Sequence, residues 1–423
     1  MGLLLARSNS YGGVLIMPVM FLYNAPEDSL PVVMTNVISK QNTDGFFKII
    51  HKIIEIAHEN NYARGNLWHN YLTYFILSNE NVFSLSCERR EAPENSLKKL
   101  VLHDLGIFMQ LFSLSDKIAS FDCIKNFDGD NASSLIVNFS AKLANAKTSE
   151  EFYGHVCEFY KNFGSGIFAF NKAFRLSGNS LIPVPDKNIG SVNFEDIIGY
   201  EIQKKELISN TESFLSGKPA NNVLLYGDGG TGKSTSIKAL LNEYFALGLR
   251  VVEIYKHQFR DILRVTEVLR KRNYKFIIFI DDLSFEENEI EYKYLKAVIE
   301  GGIETKPDNV LIYATSNRRH IIRETWNDRN DMEHNGDIHR SDTVEEKLSL
   351  ASRFGIAINY SIPTREEYHE IVLKLAEKSG LSLDRDELLK AADTWELRHG
   401  GMSGRTARQF VDYRLGREDL HCI

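Results

Sequence analysis

The chain has 423 residues, of which 43% are hydrophobic and 25% are charged. This composition is that of a folded protein large enough for two or three domains, and it excludes a collagen-like or largely disordered chain. Since 50 Lys and Arg residues face 57 Asp and Glu residues, the formal net charge is -7, so nucleic-acid binding is not indicated and would need a local basic surface.

The cysteines and the first apolar run give information on the cellular compartment of the protein. The four cysteines stand at positions 87, 123, 157 and 422, without the spacing of zinc ligands or of a disulfide framework, which favours a reduced, cytoplasmic compartment. The apolar residues 14–23 include Pro18 and are too few to cross a membrane. A signal-peptide core, a buried strand and an upstream start codon are alternative interpretations of this run.

The region from about residue 40 to 176 has apolar residues at helical spacing. Phe46, Ile49, Ile50, Ile53 and Ala57, for example, fall on one face of a helix. We therefore predict a mostly α-helical N-terminal domain. Its aromatic residues would suit base stacking, but their helical spacing assigns them to the core: Trp68, Tyr71, Tyr74, Phe75, Phe152, Tyr153, Phe159 and Tyr160.

Residues 176–193 contain four glycine or proline residues and little periodicity, which indicates a linker. We place the N-terminal domain and its linker at residues 1–185. Strand and helix signals then alternate, as in a parallel sheet covered by helices, which predicts an α/β domain over residues 186–362. A small helical subdomain follows at residues 363–423. The predicted strands are residues 222–226, 250–255, 276–280, 310–315 and 355–360, and the last helices are 365–378, 384–397 and 403–415.

The first predicted strand leads into a match to the phosphate-loop pattern GxxxxGK[ST]. Its glycines allow consecutive N–H groups to turn toward a β-phosphate at the start of a helix. Lys233 would bridge the β- and γ-phosphates, and the Ser234 hydroxyl would hold Mg²⁺. The predicted nucleotide contacts in this loop are Gly227, Asp228, Gly229, Gly230, Thr231, Gly232, Lys233, Ser234 and Thr235.

Two carboxylates, Asp281 and Asp282, end the third predicted strand. If that strand lies close to the phosphate loop, Asp281 would bind Mg²⁺ through water and Asp282 would orient the attacking water. An aspartate is one methylene shorter than the glutamate that many such ATPases carry. Slow hydrolysis is therefore one alternative, and a role for Glu286 or Glu287 is another.

Three polar residues farther along the chain suit the far end of a nucleoside triphosphate. Asn317, at the end of the fourth strand, would sense the γ-phosphate or the attacking water without adding charge, and a simple turn residue is the alternative. Arg353, just before the fifth strand, would project into the pocket of a neighbouring protomer and accelerate hydrolysis. Arg405, in the last helix, would reach the γ-phosphate from the helical subdomain. For both arginines a structural salt bridge is the alternative.

The phosphate loop, Asp281-Asp282, Asn317, Arg353 and Arg405, taken in this order, resemble an AAA+ ATPase. That family implies a five-stranded sheet of order 5-1-4-3-2 and a C-terminal helical lid. Residues 194–201, 221–227, 281–286, 313–320 and 346–350 also resemble an uncharacterised bacterial family of predicted AAA+ ATPases, over about residues 165–415.

This resemblance implies ATP binding and hydrolysis, and it assigns no substrate. ATP and Mg²⁺ are the expected cofactors, and a homo-oligomer with an unidentified protein client or partner is the expected assembly. Residues 197–200 would pack around adenine, so Ile198 and Gly199 are expected contacts; a hydrophobic helix-capping turn is the alternative. In the resembling family the third strand also ends in two aspartates, so Asp282 is expected as a family trait.

Three functions follow as hypotheses. The first is an oligomeric ATPase that remodels or loads a client and shares its sites between protomers. The second is a slowly hydrolysing ATP-dependent switch or scaffold that presents the N-terminal domain to a protein partner. The third is a DNA-associated loader, which would need a local basic face. Three arginines, Arg318, Arg319 and Arg323, would face DNA phosphates, a neighbouring subunit or a nucleotide, and the sequence leaves these alternatives open.

Overall fold

The structure is a computed structural model and describes residues 20–23, 28–39, 43–117, 122–129, 134–285, 291–300, 307–317, 352–381 and 384–418. The chain forms two compact units, Met1–Phe170 and Asn171–Ile423. We call the first the helical unit and the second the α/β unit. In the described residues, no helix is both long and apolar enough to cross a bilayer.

The helical unit confirms the predicted α-helical region. Residues Phe46, Ile49, Ile50, Ile53 and Ala57 are buried along one helix face, as their spacing predicts. In the described part of the unit the helices are α1 (Leu30–Ser39), α2 (Thr43–Glu59), α3 (Leu67–Ser78), α4 (Val82–Glu88), α5 (Asn95–Phe112), α6 (Leu114–Lys117), α7 (Asp122–Lys125), α8 (Ser134–Ala144), α9 (Ser149–Phe163) and α10 (Ile167–Phe170).

The aromatic residues of this unit are packing residues. Trp68, Phe152 and Tyr160 have no exposed surface, and Tyr74 and Tyr153 are partly buried against the same core. The Trp68 indole N–H donates to the Leu111 carbonyl oxygen at 2.8 Å, so its polar atom is satisfied inside the core. The interpretation of these rings as core rather than base-stacking platforms is confirmed.

Within its described residues, the α/β unit is built on one sheet of seven strands, in the order β2-β1-β4-β5-β6-β3-β7. Strands β1 and β2 pair antiparallel, and every other neighbouring pair is parallel. The strands are β1 (Ala173–Ser177), β2 (Ser180–Val184), β3 (Val223–Gly227), β4 (Leu249–Glu253), β5 (Lys275–Ile280), β6 (Val310–Ser316) and β7 (Ile356–Tyr360).

The prediction of a five-stranded sheet is wrong, because a β-hairpin extends the sheet beyond β4 to seven strands. Within this sheet the five predicted strands keep the predicted order 5-1-4-3-2, which is β7-β3-β6-β5-β4. The five predicted strands correspond to β3–β7 and lie side by side. Strand β5 is central, and five of its six residues are buried, since helices cover both faces of a parallel sheet. The central position of β5 thus explains the apolar run that predicts a buried strand at these residues.

The prediction of a linker at residues 176–193 is also wrong, because this stretch contributes to the hairpin. Gly178, with a φ of +54°, lies in the turn between β1 and β2. Pro183 is tolerated because β2 is an edge strand, where a missing N–H breaks no bond to a further strand. Residues 171–185, predicted to belong with the N-terminal domain, therefore lie in the α/β unit.

Helices flank the sheet. The last three of them, between Arg365 and Glu418, form a C-terminal helical subdomain, which we call the lid. Ile198, from the segment before β3, packs in the lid core with Tyr368 and Phe410. The described helices of this unit are α11 (Asp186–Ile189), α12 (Glu201–Leu215), α13 (Lys233–Tyr244), α14 (Ile262–Arg270), α15 (Glu291–Glu300), α16 (Arg365–Ser379), α17 (Arg385–Arg398) and α18 (Gly404–Glu418), with 3-10 helices at Phe194–Asp196, Phe245–Leu247 and Lys256–Asp261.

Candidate functional site

The phosphate loop connects β3 to the first turn of α13 and requires glycine at several positions. Gly230 and Gly232 have φ values of +79° and +97°, a backbone region that side chains disfavour. At Gly227, an added Cβ would lie 2.1 Å from the carbonyl oxygen of Tyr360 in β7. The Thr231 hydroxyl donates to the Asp228 carbonyl oxygen at 2.9 Å and closes the loop.

Lys233 begins α13 and is 6% exposed. Its ammonium group donates to the carbonyl oxygens of Gly227 at 2.9 Å and Asp228 at 2.5 Å. Burial lowers the pKa of this ammonium group, although the carboxylates of Asp228, Asp281 and Asp282 act in the opposite direction. The loop thus holds a partly desolvated cation at the start of a helix, where the helix dipole also favours an anion.

Ser234 and Asp281 meet at the carboxyl edge of the sheet. The Ser234 hydroxyl donates to Asp281 Oδ1 at 2.6 Å. Thr315, at the end of β6, donates to the same oxygen at 2.5 Å and accepts a bond from the Asp282 N–H at 2.9 Å. Neighbouring parallel strands therefore bring together groups that stand 47 and 34 positions apart in the chain.

Asp282 and Asn317 form the second polar pair at this edge. The Asn317 amide donates to Asp282 Oδ1 at 2.8 Å. Asp282 has a φ of +51°, a conformation that aspartate adopts more readily than most residues with a side chain. The sharp backbone turn directs the chain out of β5 and leaves both adjacent carboxylates exposed at the sheet edge.

A cavity of about 650 Å³ joins these groups to the lid. Its volume lies in the range of ligand pockets. One part is lined by apolar side chains, Ile197, Ile198, Ile371 and Leu375, and another by the phosphate loop and the sheet edge: Gly229, Gly230, Thr231, Gly232, Lys233, Ser234, Thr235, Asp281, Asp282, Thr315 and Asn317. Asp196, Tyr200, Gly404, Arg405 and Arg408 complete the lining.

The lid contacts the phosphate loop directly through the start of α18. The Arg405 N–H donates to the Gly230 carbonyl oxygen at 3.4 Å. A Cβ added at Gly230 would lie 3.0 Å from both the Cβ of Arg405 and the hydroxyl oxygen of Ser403. This close approach brings the exposed Arg405 side chain to the cavity, as its candidate role requires.

Four of the predicted site residues lie outside this lining. Gly227 and Asp228 form the base of the loop, and Gly199 lies near the Glu367 side chain of the lid. Arg353 precedes β7 at the amino end of the sheet, whereas the phosphate loop lies at the carboxyl end of the parallel neighbour β3. Arg353 therefore does not enter the cavity of its own chain.

Some residues with predicted roles lie outside the described part of the chain. They are Glu286 and Glu287, the alternatives to Asp282, and the basic residues Arg318, Arg319 and Arg323.

Three residues of the cavity lining, Thr315, Asp196 and Arg408, are not among the predicted site residues. The strand pattern predicts Thr315 only as a strand end, although its position two residues before Asn317 on a central strand is a signal for the site. Asp196 and Arg408 had no such signal as cavity residues, because the cavity is formed when the lid packs beside the segment before β3.

The side chains present fit a magnesium nucleoside triphosphate. A hydroxyl and a carboxylate, Ser234 and Asp281, are the hard oxygen ligands that Mg²⁺ prefers. The left-handed glycines and Lys233 suit phosphates, and the isoleucine and leucine side chains offer an apolar surface to a flat base.

The curated proteins that this chain resembles match it over only part of their length. The chain is 40% identical over 76 residues to the Replication factor C large subunit of Staphylothermus marinus, covering 17% of each chain. It is 25% identical over 296 residues to the ATP-dependent zinc metalloprotease FtsH 2 of Salinibacter ruber, covering 61% of this chain and 39% of that one. A 26S proteasome regulatory subunit 6B homolog of Aspergillus niger is 26% identical over 221 residues, covering 47% and 48%. The chain thus spans less than half the length of these relatives.

A solved structure, the Thermotoga maritima RuvB Holliday junction branch migration motor, matches with 18% identity and a TM-score of 0.36, covering 53% of this chain and 64% of that one. The family described as "Protein of unknown function (DUF815)" matches over residues 167–418, which is more than half of the chain. The resemblance stated from the phosphate loop and its ordered partners is thereby confirmed. The chain belongs to the DUF815 family and has the AAA+ P-loop ATPase architecture.

Proposed function

We propose that the α/β unit binds ATP with Mg²⁺ at this cavity and hydrolyses it to ADP and phosphate. The observation that carries the proposal is the 2.6 Å contact between Ser234 and Asp281, because it joins the phosphate loop to the acidic strand end beside one cavity. The name of one curated relative, the ATP-dependent zinc metalloprotease FtsH 2, supports nucleotide use.

Each side chain has a role that its position supports. Ser234 and Asp281 would hold Mg²⁺, which supplies positive charge to the phosphate oxygens. Lys233 would exchange its two carbonyl partners for phosphate oxygens. Asp282 would orient the attacking water, while Asn317 and Arg405 would contact the γ-phosphate from the sheet and from the lid.

We further propose that the active form is a homo-oligomer that remodels or loads an unidentified protein client. Arg353 lies at the opposite end of the sheet from its own phosphate loop. A role in hydrolysis therefore requires a neighbouring protomer to receive it, and such an arginine can raise hydrolysis by roughly 10³–10⁵-fold. We also propose a domain boundary in this protein, with the α/β domain ending near residue 362 and the lid beginning at residue 363.

A second candidate function is a slowly hydrolysing switch or scaffold. The hydrogen bond between Asn317 and Asp282 favours it, because one oxygen of the carboxylate already has an amide donor at 2.8 Å. The amide must leave this carboxylate before it can contact a γ-phosphate, which would slow hydrolysis. In this case bound ATP would fix the lid and the helical unit would be presented to a protein partner.

Steady-state ATP hydrolysis at several protein concentrations tests the proposal. We expect specific turnover to rise with concentration, Lys233→Ala to abolish nucleotide binding, and Arg353→Ala to abolish the rise while ATP still binds. Micromolar ATP binding without measurable turnover would instead support the switch. Turnover that is independent of both concentration and Arg353 would exclude the shared site.

Mixing the two variants sharpens the test. Arg353→Ala keeps a complete phosphate loop, and Lys233→Ala keeps Arg353, so a mixed oligomer would contain sites in which both are intact. We expect each variant alone to lack the concentration-dependent turnover and the mixture to recover part of it. A mixture of Arg353→Ala with the double variant is the matched control: it keeps intact phosphate loops but has no Arg353 to donate, and it should recover no turnover.

A further inference from the structure

Two thiols lie close together in the helical unit, far in sequence from the nucleotide site. The Cys87 thiol, in α4, donates to the sulfur of Cys157, in α9, with the two Sγ atoms 3.6 Å apart. The two residues are 70 positions apart in the chain. Both are reduced in this structure. Formation of a disulfide would need the sulfur atoms to approach by about 1.5 Å.

Contacts on both sides of the thiols hold α4 against α9 and the residues that follow it. Near the start of α4, the Phe83 ring stacks on Tyr153 with centroids 5.4 Å apart and meets the Tyr160 ring edge-on at 5.8 Å. At its end, the buried Glu88 carboxylate accepts bonds from the Ser165 N–H and hydroxyl at 3.3 and 3.4 Å. The packing of the two helices therefore holds the two sulfur atoms close together.

The two thiols differ in exposure. Cys87 is 1% exposed, whereas Cys157 is only partly buried. The hydrogen bond from Cys87 lowers the pKa of Cys157 to about 7 against the effect of burial, and Tyr153, Lys161 and Lys98 act in the same direction as that bond. The corresponding interaction and burial raise the pKa of Cys87. Thiolate character thus falls on the more accessible sulfur.

We propose that Cys157 and Cys87 form a thiol–disulfide exchange site for small disulfides of the glutathione type, with Cys157 as the attacking and Cys87 as the resolving thiol. The Cys157 thiolate attacks one sulfur of glutathione disulfide, forming a mixed disulfide and releasing one glutathione thiolate. Cys87 then loses its proton to solvent and attacks Cys157 Sγ, and the second glutathione thiolate leaves. The protein dithiol is oxidised by two electrons and glutathione disulfide is reduced to two glutathione molecules.

The test exposes the reduced full chain to glutathione disulfide, stops exchange with acid and maps every cysteine by mass spectrometry. We expect a Cys87–Cys157 crosslink whose mass is lower by two hydrogens. In Cys87→Ala the glutathione adduct should persist on Cys157, and in Cys157→Ala the buried Cys87 should stay unmodified. Cys123→Ala, which removes an exposed thiol of the same unit, is the matched control and should crosslink as the wild type does.

Three results would overturn the proposal. The first is an adduct on Cys123 without any Cys87–Cys157 crosslink, since that adduct shows that the reagent was active. The second is a crosslink from either thiol to Cys123 or Cys422 in its place. The third is an adduct that forms on Cys87 as fast as on Cys157. The wild-type mapping alone decides the first two, so the test does not depend on whether a variant folds.

Discussion

Thr315 lies at the end of β6, is 2% exposed and holds its hydroxyl between two adjacent acidic residues. It donates to the Asp281 carboxylate and accepts the Asp282 backbone N–H. It is therefore a positioning residue: it fixes the orientation of a proposed metal ligand without being one. Loss of such supporting hydrogen bonds typically weakens metal affinity by about 10–100-fold.

We expect Thr315→Val to raise the Mg²⁺ concentration needed for half-maximal ATP turnover by about tenfold, because the valine keeps the shape but lacks the hydroxyl. Thr315→Ser retains the hydroxyl and should restore most of the Mg²⁺ dependence. Titrations of turnover with Mg²⁺ at saturating ATP measure both. A Thr315→Val enzyme with reduced turnover but unchanged Mg²⁺ dependence would contradict the positioning role.

Cys157 allows a pH prediction for the helical unit. A thiol reacts as the thiolate, so its alkylation rate rises with pH and reaches half of its plateau at its pKa. With that pKa at about 7, we expect the midpoint near pH 7 in the wild type and at higher pH in Cys87→Ala, which lacks the lowering hydrogen bond. Cys123→Ala should leave the midpoint unchanged. Rates of iodoacetamide labelling, resolved by peptide, give the measurement.

At the scale of elements, the contact between β3 and β7 explains why the phosphate loop begins with glycine. Gly227 pairs with Tyr360 in register and has a φ of +131°. A methyl group there would meet the backbone of a neighbouring strand, which cannot move without disrupting the sheet. Gly217 is a matched comparison, because its φ is +73° but an added Cβ would have nothing within 4 Å.

We expect Gly227→Ala to destabilise the α/β unit by more than about 3 kcal/mol, since steric overlap adds to backbone strain, and Gly217→Ala to cost about 1–2 kcal/mol from strain alone. In thermal unfolding of the full chain these costs correspond to shifts of roughly 6 °C or more and roughly 3 °C. Equal shifts for the two variants would show that the approach to Tyr360 has no energetic effect.

The elements that sequence could predict are those with a local signal. The phosphate loop and the central strand β5 carry one in their glycines and in their unbroken apolar run. The hairpin of β1 and β2 does not, because Pro183 is acceptable only on a strand whose edge position is set by the rest of the sheet. The lid contact with Gly230 likewise depends on Ser403 and Arg405, which are remote in sequence.

At the scale of the whole molecule, the helical unit and the α/β unit each have their own hydrophobic core. The proposed nucleotide site, including the cavity and the lid, lies within the α/β unit. A ligand that binds only the native state of one unit stabilises that unit by mass action.

We therefore expect two thermal unfolding transitions, of which MgATP raises only one. At a concentration one hundred times the dissociation constant, the nucleotide would contribute about 2.7 kcal/mol, or roughly 5–10 °C. Differential scanning calorimetry of the full chain measures both transitions, and Lys233→Ala should lose the shift. An equal shift of both transitions, or a single merged transition, would contradict independent units.

Tyr360 bonds to the phosphate loop from far along the chain, and this has a consequence for biosynthesis. Its carbonyl oxygen accepts the Asp228 N–H at 3.2 Å, and its hydroxyl lies 3.0 Å from that of Ser236, 124 positions earlier. At ribosomal speeds of about 5–20 residues per second, roughly ten seconds separate the synthesis of these partners. A nascent chain that has released only β3 and α13 would have the loop residues without the strand that shapes them. Nucleotide capture should therefore begin late in translation, after β7 has left the ribosomal tunnel.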